Sequence, residues 1–284
     1  MIKQICSSRR RPGMTRREYF DYRFQVHGSI ADGGEKPEDI LEKYIQTHVF
    51  DSVYGARPGP VPNANHAWMA RDDVTELFYR DWDHMMANMR SDYVRDKVGP
   101  DAPFFADFES AMVLLAKERQ EVLPVVVAAE ADERNDDTSR FVAMFFVAPP
   151  DGVHEKGGTS LDATLTPLLV DALADAVAAG AVRSPLMVNV AIADAPLDPT
   201  QYFGGKDMPR YVLVYKIVLG HKQGVGVLDS VAAVRKAQAL LADKAAGLYD
   251  ESLSYTLFGR EGLVMDASKN IRFDGSRQPD LSGL

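Results

Sequence analysis

Residues 43–50 read KYIQTHVF, and the alternation of their side chains decides how the chain folds. Successive side chains of an extended backbone point to opposite faces. Tyr44, Gln46 and His48 therefore share one face, and Ile45, Thr47 and Val49 the other. This predicts a central strand with hydrogen-bonding groups along one side. Upstream, residues 2–8 read as a strand that Pro12–Gly13 breaks. Thr15 with Glu18 three residues on is a capping box, and opens a helix carrying Tyr19, Phe20, Phe24 and His27 up to Gly28. Residues 31–42 read as a loop. Downstream, 55–65 is a turn-rich loop, 66–79 an extended stretch bent near 71–73, Asp81 the cap of a helix through Trp82 and Met89, 91–98 a short helix ended by Gly99–Pro100, and 107–116 a strand.

The same order recurs. After a charged boundary at 117–140, the apolar run FVAMFFVA (141–148) reads as a strand. Ser160 caps a helix at 161–179 striped by Leu161, Leu165, Leu168, Leu169 and Leu173. Strands follow at 186–193 and 210–219, then a helix from Asp229 to about 246 and a strand at 251–265. The expected class is α+β, with two ferredoxin-like halves, each strand–helix–strand–strand–helix–strand (βαββαβ). Each half needs a partner for its uncovered sheet face, and packing the two faces together gives a barrel with a cavity between them. The expected divisions are 1–118, 119–266 and a loose polar tail at 267–284.

A chain of 284 residues suits two units of the usual ~100–150 residues, and 46% hydrophobic with 26% charged residues is an ordinary globular balance. A net charge of −9 argues against nucleic acid and against an anionic membrane surface as partners. Arg9–Arg11 read as a solvated turn, and the lone Cys6, expected in the core, excludes an internal disulfide. The opening MIKQICSS lacks the apolar core of a signal peptide, and no run approaches the ~18 apolar residues of a membrane span. A cytoplasmic protein is expected.

Three stretches, in order, resemble the EthD-domain family: RRPGMTRREYFDYRFQVHG at 10–28, KYIQTHVFDS at 43–52, and ELFYRDWDHMMANMRSDYVRDKVGPDAPFFAD at 76–107. The resemblance covers roughly residues 1–116; the second half shares the element order but not these motifs. It implies a dimeric α+β barrel with a ligand cavity between sheet and helices, and a homodimer. That superfamily includes cofactor-free monooxygenases, isomerases, decarboxylases and dehydratases acting on aromatic or polyketide-like compounds, and branches that bind haem. Fold does not fix chemistry.

Three side chains are candidates for catalysis. His27 ends a helix, where the dipole favours a charged imidazole, and it falls at the Q-x-H-G position of the EthD-like motif. Its structural alternative is a histidine that closes the helix through a carbonyl. Tyr44 and His48 would move protons without a cofactor, with an inter-sheet hydrogen-bond network as the alternative. Candidate substrate-binding residues are Tyr22, Gln46, Asn65, His66, Trp68, Asn189 and Tyr215. Asp51, His84, His154 and His221 are weaker, and Lys216 lines a cavity or reaches out from an edge. No metal or cofactor motif, phosphate cradle or G-x-S-x-G elbow is present in the sequence. The expected activity is a cofactor-independent lyase or isomerase of aromatic-compound catabolism, acting on an apolar aromatic substrate by decarboxylation, dehydration or C–C cleavage. The alternatives are a cofactor-free monooxygenase in the same cavity, and a haem-binding or nonenzymatic binding protein.

Overall fold

The central strand of the first half is longer than its alternating core, because the extended run continues through Phe50 to Tyr54. The computed structural model describes residues 1–124, 139–150, 157–198, 205, 208–220, 225–282 and 284. Its strands are β1 (Ile2–Arg10), β2 (Lys43–Tyr54), β3 (Asp73–Tyr79), β4 (Ala106–Glu121), β5 (Phe141–Ala148), β6 (Val182–Ala191), β7 (Leu213–Leu219) and β8 (Asp250–Asp266). Helix α1 (Arg16–Asp21) runs on into a π-helical stretch (Tyr22–Gly28) and a last turn (Ser29–Ala31). Then come α2 (Trp82–Arg90), followed by a second π-helical stretch (Val94–Val98) and a helical turn (Gly99–Asp101), and, in the second half, α3 (Thr159–Ala172), α4 (Ala174–Ala178) and α5 (Val227–Lys244). Both halves are therefore βαββαβ, as expected.

The strands form one closed antiparallel barrel in the order β1-β3-β2-β8-β5-β7-β6-β4. Within it each half keeps the order of a ferredoxin-like sheet, β4-β1-β3-β2 and β8-β5-β7-β6. The halves join by their edges, β2 to β8 and β4 to β6, rather than by packing one sheet face on the other. Edge joining pairs the outer strands of both sheets, which removes the exposed backbone ladder an open sheet would leave.

Closure sorts the side chains into a lumen and an outer face. The lumen holds Ile5, Val74, Leu114, Val142, Met144 and Leu257 in one apolar cluster. It also holds a chain of alternating charges. Lys3 Nζ lies 2.5 Å from Glu118 Oε2 and 2.5 Å from Glu76 Oε2, and Lys216 Nζ lies 2.5 Å from Glu76 Oε1. Lys216 also pairs with Glu261, which pairs with Arg140 at 2.8 Å. β3 and β7 are not neighbours in the barrel, so the Glu76–Lys216 pair crosses the lumen. Lys216 thus lines the interior. On the outer face of the second half, Tyr215 meets α3 through Thr166 Oγ1 at 2.9 Å.

Several boundaries differ from those expected. β3 begins at Asp73, not at residue 66, because Ala70 takes a left-handed conformation (φ 71°) that ends the extended run. The α3 N-cap is Gly158 rather than Ser160, and that of α5 is Gly226, whose N–H donates to Asp229 Oδ2 at 2.9 Å. The tail is docked rather than loose: Arg272 and Phe273 N–H bind Asp32, and Arg277 donates to the Leu263 and Val264 carbonyls.

Candidate active site

The site lies between the outer face of β1, β3 and β2 and the π-helical stretch that covers it. Thr15 fixes the start of that cover: its Oγ1 accepts from Glu18 N–H at 3.2 Å, and its own N–H donates to Glu18 Oε2 at 2.7 Å. The helix buries Tyr19 and Phe20 and, in the π-helical stretch, Arg23, Phe24 and His27. π-Helical insertions are rare and occur often at functional sites.

Arg23 is the centre of the arrangement. Its buried guanidinium donates to Asp73 Oδ2 (3.0 Å), to Tyr44 Oη (2.5 Å) and to Thr75 Oγ1. It also stands 4.8 Å from the centre of the Phe105 ring. Burial opposes its charge, but Tyr44 and Asp73 outweigh burial and hold it protonated. Asp73 takes a further bond from Ser8 Oγ at 2.9 Å. The Tyr44 oxygen accepts from Arg23 and also from Gln46 Nε2 at 2.8 Å, so both its lone pairs are occupied and its O–H is left to donate. Burial raises the Tyr44 pKa against the pull of Arg23, which keeps that proton in place at neutral pH.

His48 follows on the same face. Its ring stacks on Phe20 (centroids 4.2 Å apart, planes within 5°) and meets Phe24 edge-on at 6.1 Å. It is 0% exposed, and neither ring nitrogen has a hydrogen-bond partner. Burial first, and then the Arg23 charge, push its pKa down to about 3, so the ring is neutral. Gln46 Oε1 beside it is also buried and unpartnered.

His27 lies one turn beyond Arg23, also against Phe105, with ring centroids 4.7 Å apart. Its Nδ1 is 2.8 Å from Asp101 Oδ2, and Tyr22 Oη donates to Asp101 Oδ1 at 2.7 Å. Burial pushes His27 down to about 4 against the pull of Asp101. The Asp101 carboxyl is held below its usual range: burial raises it, and the His27 and Tyr22 hydrogen bonds outweigh that. An ionised Asp101 accepts from Nδ1–H, which leaves the His27 Nε2 lone pair as a base. A surface groove of about 550 Å³ runs along α1, with Tyr22 in its wall beside Arg11 and Gln25. Tyr22 thus stands between the groove and His27.

The structure brings His27, Tyr22, Tyr44, Gln46 and His48 together around Arg23. It does not bring the other candidates there. Asn65 is exposed, and His66 stacks on Trp68 at 4.9 Å while its Nε2 contacts Ser252 O at 2.8 Å. Both belong to the loop between β2 and β3. Asn189 faces the lumen and donates to Val214 O at 2.9 Å, whereas Tyr215 lies outside, under α3. His84 is buried and structural, with Nδ1 accepting from Arg80 N–H and Nε2 3.1 Å from Ile40 O. Asp51 is exposed and accepts from Ser52 N–H. His154 and His221 lie outside the described residues. Cys6 is pushed up to about 12 by burial and stays a thiol.

Sequence reasoning missed Arg23, Asp73 and Asp101. The signal for Asp73 was its register: it faces His48 across β2–β3. Among the described residues, no three of His, Cys, Asp and Glu gather closely enough to hold a metal ion.

No curated protein matches the chain in sequence. Among solved structures, a protein provisionally named as a monooxygenase, from Fusobacterium nucleatum, is similar at 7% identity and a TM-score of 0.45, over 93% of this chain and 92% of that one. An anthrone oxidase-like protein is similar at 11% identity and a TM-score of 0.45, over the same shares, 93% and 92%. Residues 11–109, which hold Arg23, His27, Tyr44, His48, Asp73 and Asp101, match the family model for the EthD domain.

Proposed function

We propose that this chain is an enzyme that moves protons on an apolar aromatic or polyketide-like molecule without a cofactor, as a lyase or isomerase. The observation that carries this reading is His48: a fully buried imidazole with both nitrogens unpartnered, held beside the unpartnered Gln46 Oε1 and the Tyr44–Arg23 pair. Buried polar groups are almost always satisfied, and a group left unmade at this cost is characteristic of a site that finishes its hydrogen bonds on a ligand.

The roles follow from protonation. His27, with Asp101 on Nδ1, offers Nε2 as the base that removes a proton from a phenol or from a carbon beside a carbonyl. The electron pair left behind moves onto the substrate oxygen. Tyr44 O–H, polarised by two donors on its oxygen, and the neutral His48 N–H both donate to that oxygen. A neutral imidazole suits this task because it has an N–H to give while carrying no charge to desolvate. His27 then returns its proton in one of two ways: to the hydroxide that the enolate expels, giving water, or to the ring carbon that bears the leaving group, after which the C–C bond breaks, its pair restores the phenolate, and carbon dioxide or the other carbon fragment departs. Phe20, Phe24 and Phe105 supply the apolar walls.

The test uses a panel of hydroxylated aromatic carboxylates and aryl ketones. Turnover is followed in D2O by deuterium entry at carbon, in air and under argon. The expected result is oxygen-independent turnover that falls about 100-fold or more in His27→Gln, Tyr44→Phe and His48→Phe. Full activity in all three variants overturns the reading. Turnover that needs oxygen replaces it with a monooxygenase starting from the same carbanion.

A further inference from the structure

A further buried cation, besides Arg23, Lys3 and Lys216, meets no anion among the described residues. Arg71 is 1% exposed, and among the described residues it forms no ion pair. Its Nη1 donates to the carbonyls of Ser7 (3.2 Å) and Ser110. Its other edge is almost unused: Nε has no partner, and among the described residues Nη2 meets the Met208 thioether alone, at 3.5 Å. Thioether sulfur is a weak acceptor. The Nε–Nη2 edge is the fork that a carboxylate grips with two parallel bonds. Arg95 and Arg119 use it so. Arg95 puts Nε and Nη2 on the two oxygens of Asp96 at 2.8 and 2.9 Å, and Arg119 puts them on the two oxygens of Asp162 at 3.1 and 2.7 Å. Arg71 presents the same fork, buried, to sulfur.

The surroundings are aromatic. Trp68, half-buried, stands 5.9 Å from the guanidinium and packs on Tyr54, Tyr255 and Tyr211 at 6.1, 5.6 and 6.5 Å. Tyr255 stacks in turn on Phe146 at 4.6 Å, on the lumen side of β8 and β5. His66 stacks on Trp68 with ring centroids 4.9 Å apart. A buried charge without a counterion is costly, and tyrosine and tryptophan rings beside it offer flat apolar contact.

We propose that Arg71 and this aromatic group form a second small-molecule site, distinct from the His27–Tyr44–His48 site, for a planar aromatic carboxylate. The carboxylate takes the Nε–Nη2 fork in place of Met208, and the ring enters beside Trp68. The site absorbs Trp68 and His66, which the catalytic group leaves unused.

The experiment follows Trp68 fluorescence in a Trp82→Phe background while 2-naphthoate is titrated, with 2-naphthamide as the neutral isostere. Saturable quenching by naphthoate is expected, with at least tenfold weaker response to the amide. Arg71→Met should abolish the difference between the two. Because Arg71→Met also removes the ties to the Ser7 and Ser110 carbonyls, Met208→Leu provides the second arm: it takes away only the sulfur and should preserve or tighten naphthoate binding. His48→Phe should leave binding unchanged, which separates this site from the catalytic one. Equal binding of acid and amide, absence of saturable binding to the folded parent, or loss of binding in His48→Phe overturns the proposal.

Discussion

An imidazole with no exposure, stacked 4.2 Å above Phe20 and with no partner for either nitrogen, is held at about 1–3 kcal/mol for each unsatisfied polar group. His48→Phe keeps the ring and the stack and removes both groups, so it should stabilise the fold by about 1 kcal/mol or more while removing the proposed donor. The pH dependence has a defined sign. The folded value is depressed, from 6.5 to about 3, so the unfolded chain takes up protons first as pH falls. The stability is intact above pH 6.5 and is lost as pH drops from there toward 3, by up to about 1.4 kcal/mol per pH unit. His27, at about 4, acts in the same direction over the window from 6.5 to 4. Urea midpoints at pH 7.5 and 5.0 check this: the variant should exceed the parent at both, by more at 5.0. A lower midpoint at pH 7.5 counts against the assignment of His48 as unsatisfied. At this scale the strand face was legible, because period-two alternation places Tyr44, Gln46 and His48 whatever packs on them. Arg23 was not. In RREYFDYRF it looks like one more solvated helix charge, and only its Asp73 and Tyr44 partners, from strands far along the chain, give it a buried role.

The helix that carries Arg23 and His27 begins at one reciprocal cap. Thr15 and Glu18 satisfy each other's backbone N–H groups, and the helix continues from there without a break into the π-helical stretch. Thr15→Ala should cost about 1 kcal/mol, within the range of roughly 0.5–2 for lost N-caps, and Thr15→Ser should recover most of it. Equilibrium urea unfolding checks both, and an unchanged midpoint in Thr15→Ala would show that packing alone holds this end. The cap and the helix start were readable because they are local. The π-helical stretch was not, since nothing in the apolar spacing of Tyr19, Phe20, Phe24 and His27 separates it from a regular helix. The stretch from residue 66 read as strand because its composition suits one. The left-handed Ala70 instead sends it outward as a loop, and so Trp68 reaches the barrel end rather than the His48 face.

Across the whole molecule, βαββαβ repeated twice was legible from element order, but the manner of joining was not. Edge-to-edge closure depends on β2 meeting β8 and β4 meeting β6, contacts between residues about 70 to 220 positions apart that leave no local pattern. The docked tail was hidden for a similar reason: its arginines reach backbone carbonyls and Asp32, and a sequence shows only their polarity. Closure places six charges in a line, Glu118–Lys3–Glu76–Lys216–Glu261–Arg140, with Glu76 and Lys216 as the link between halves. Burial alone would raise the Glu76 carboxyl, but Lys216 and Lys3 hold it below its usual range. Glu76→Gln leaves Lys216 and Lys3 short of an anion, and Lys216→Met leaves Glu76 and Glu261 short of a cation, so each should cost about 3–5 kcal/mol. The double variant divides the line into two complete pairs, Glu118–Lys3 and Glu261–Arg140. It should therefore cost less than the sum of the single variants by more than about 1 kcal/mol. Urea unfolding of the parent, both single variants and the double variant measures this coupling, and simple additivity would show that the two halves do not share this charge across the lumen.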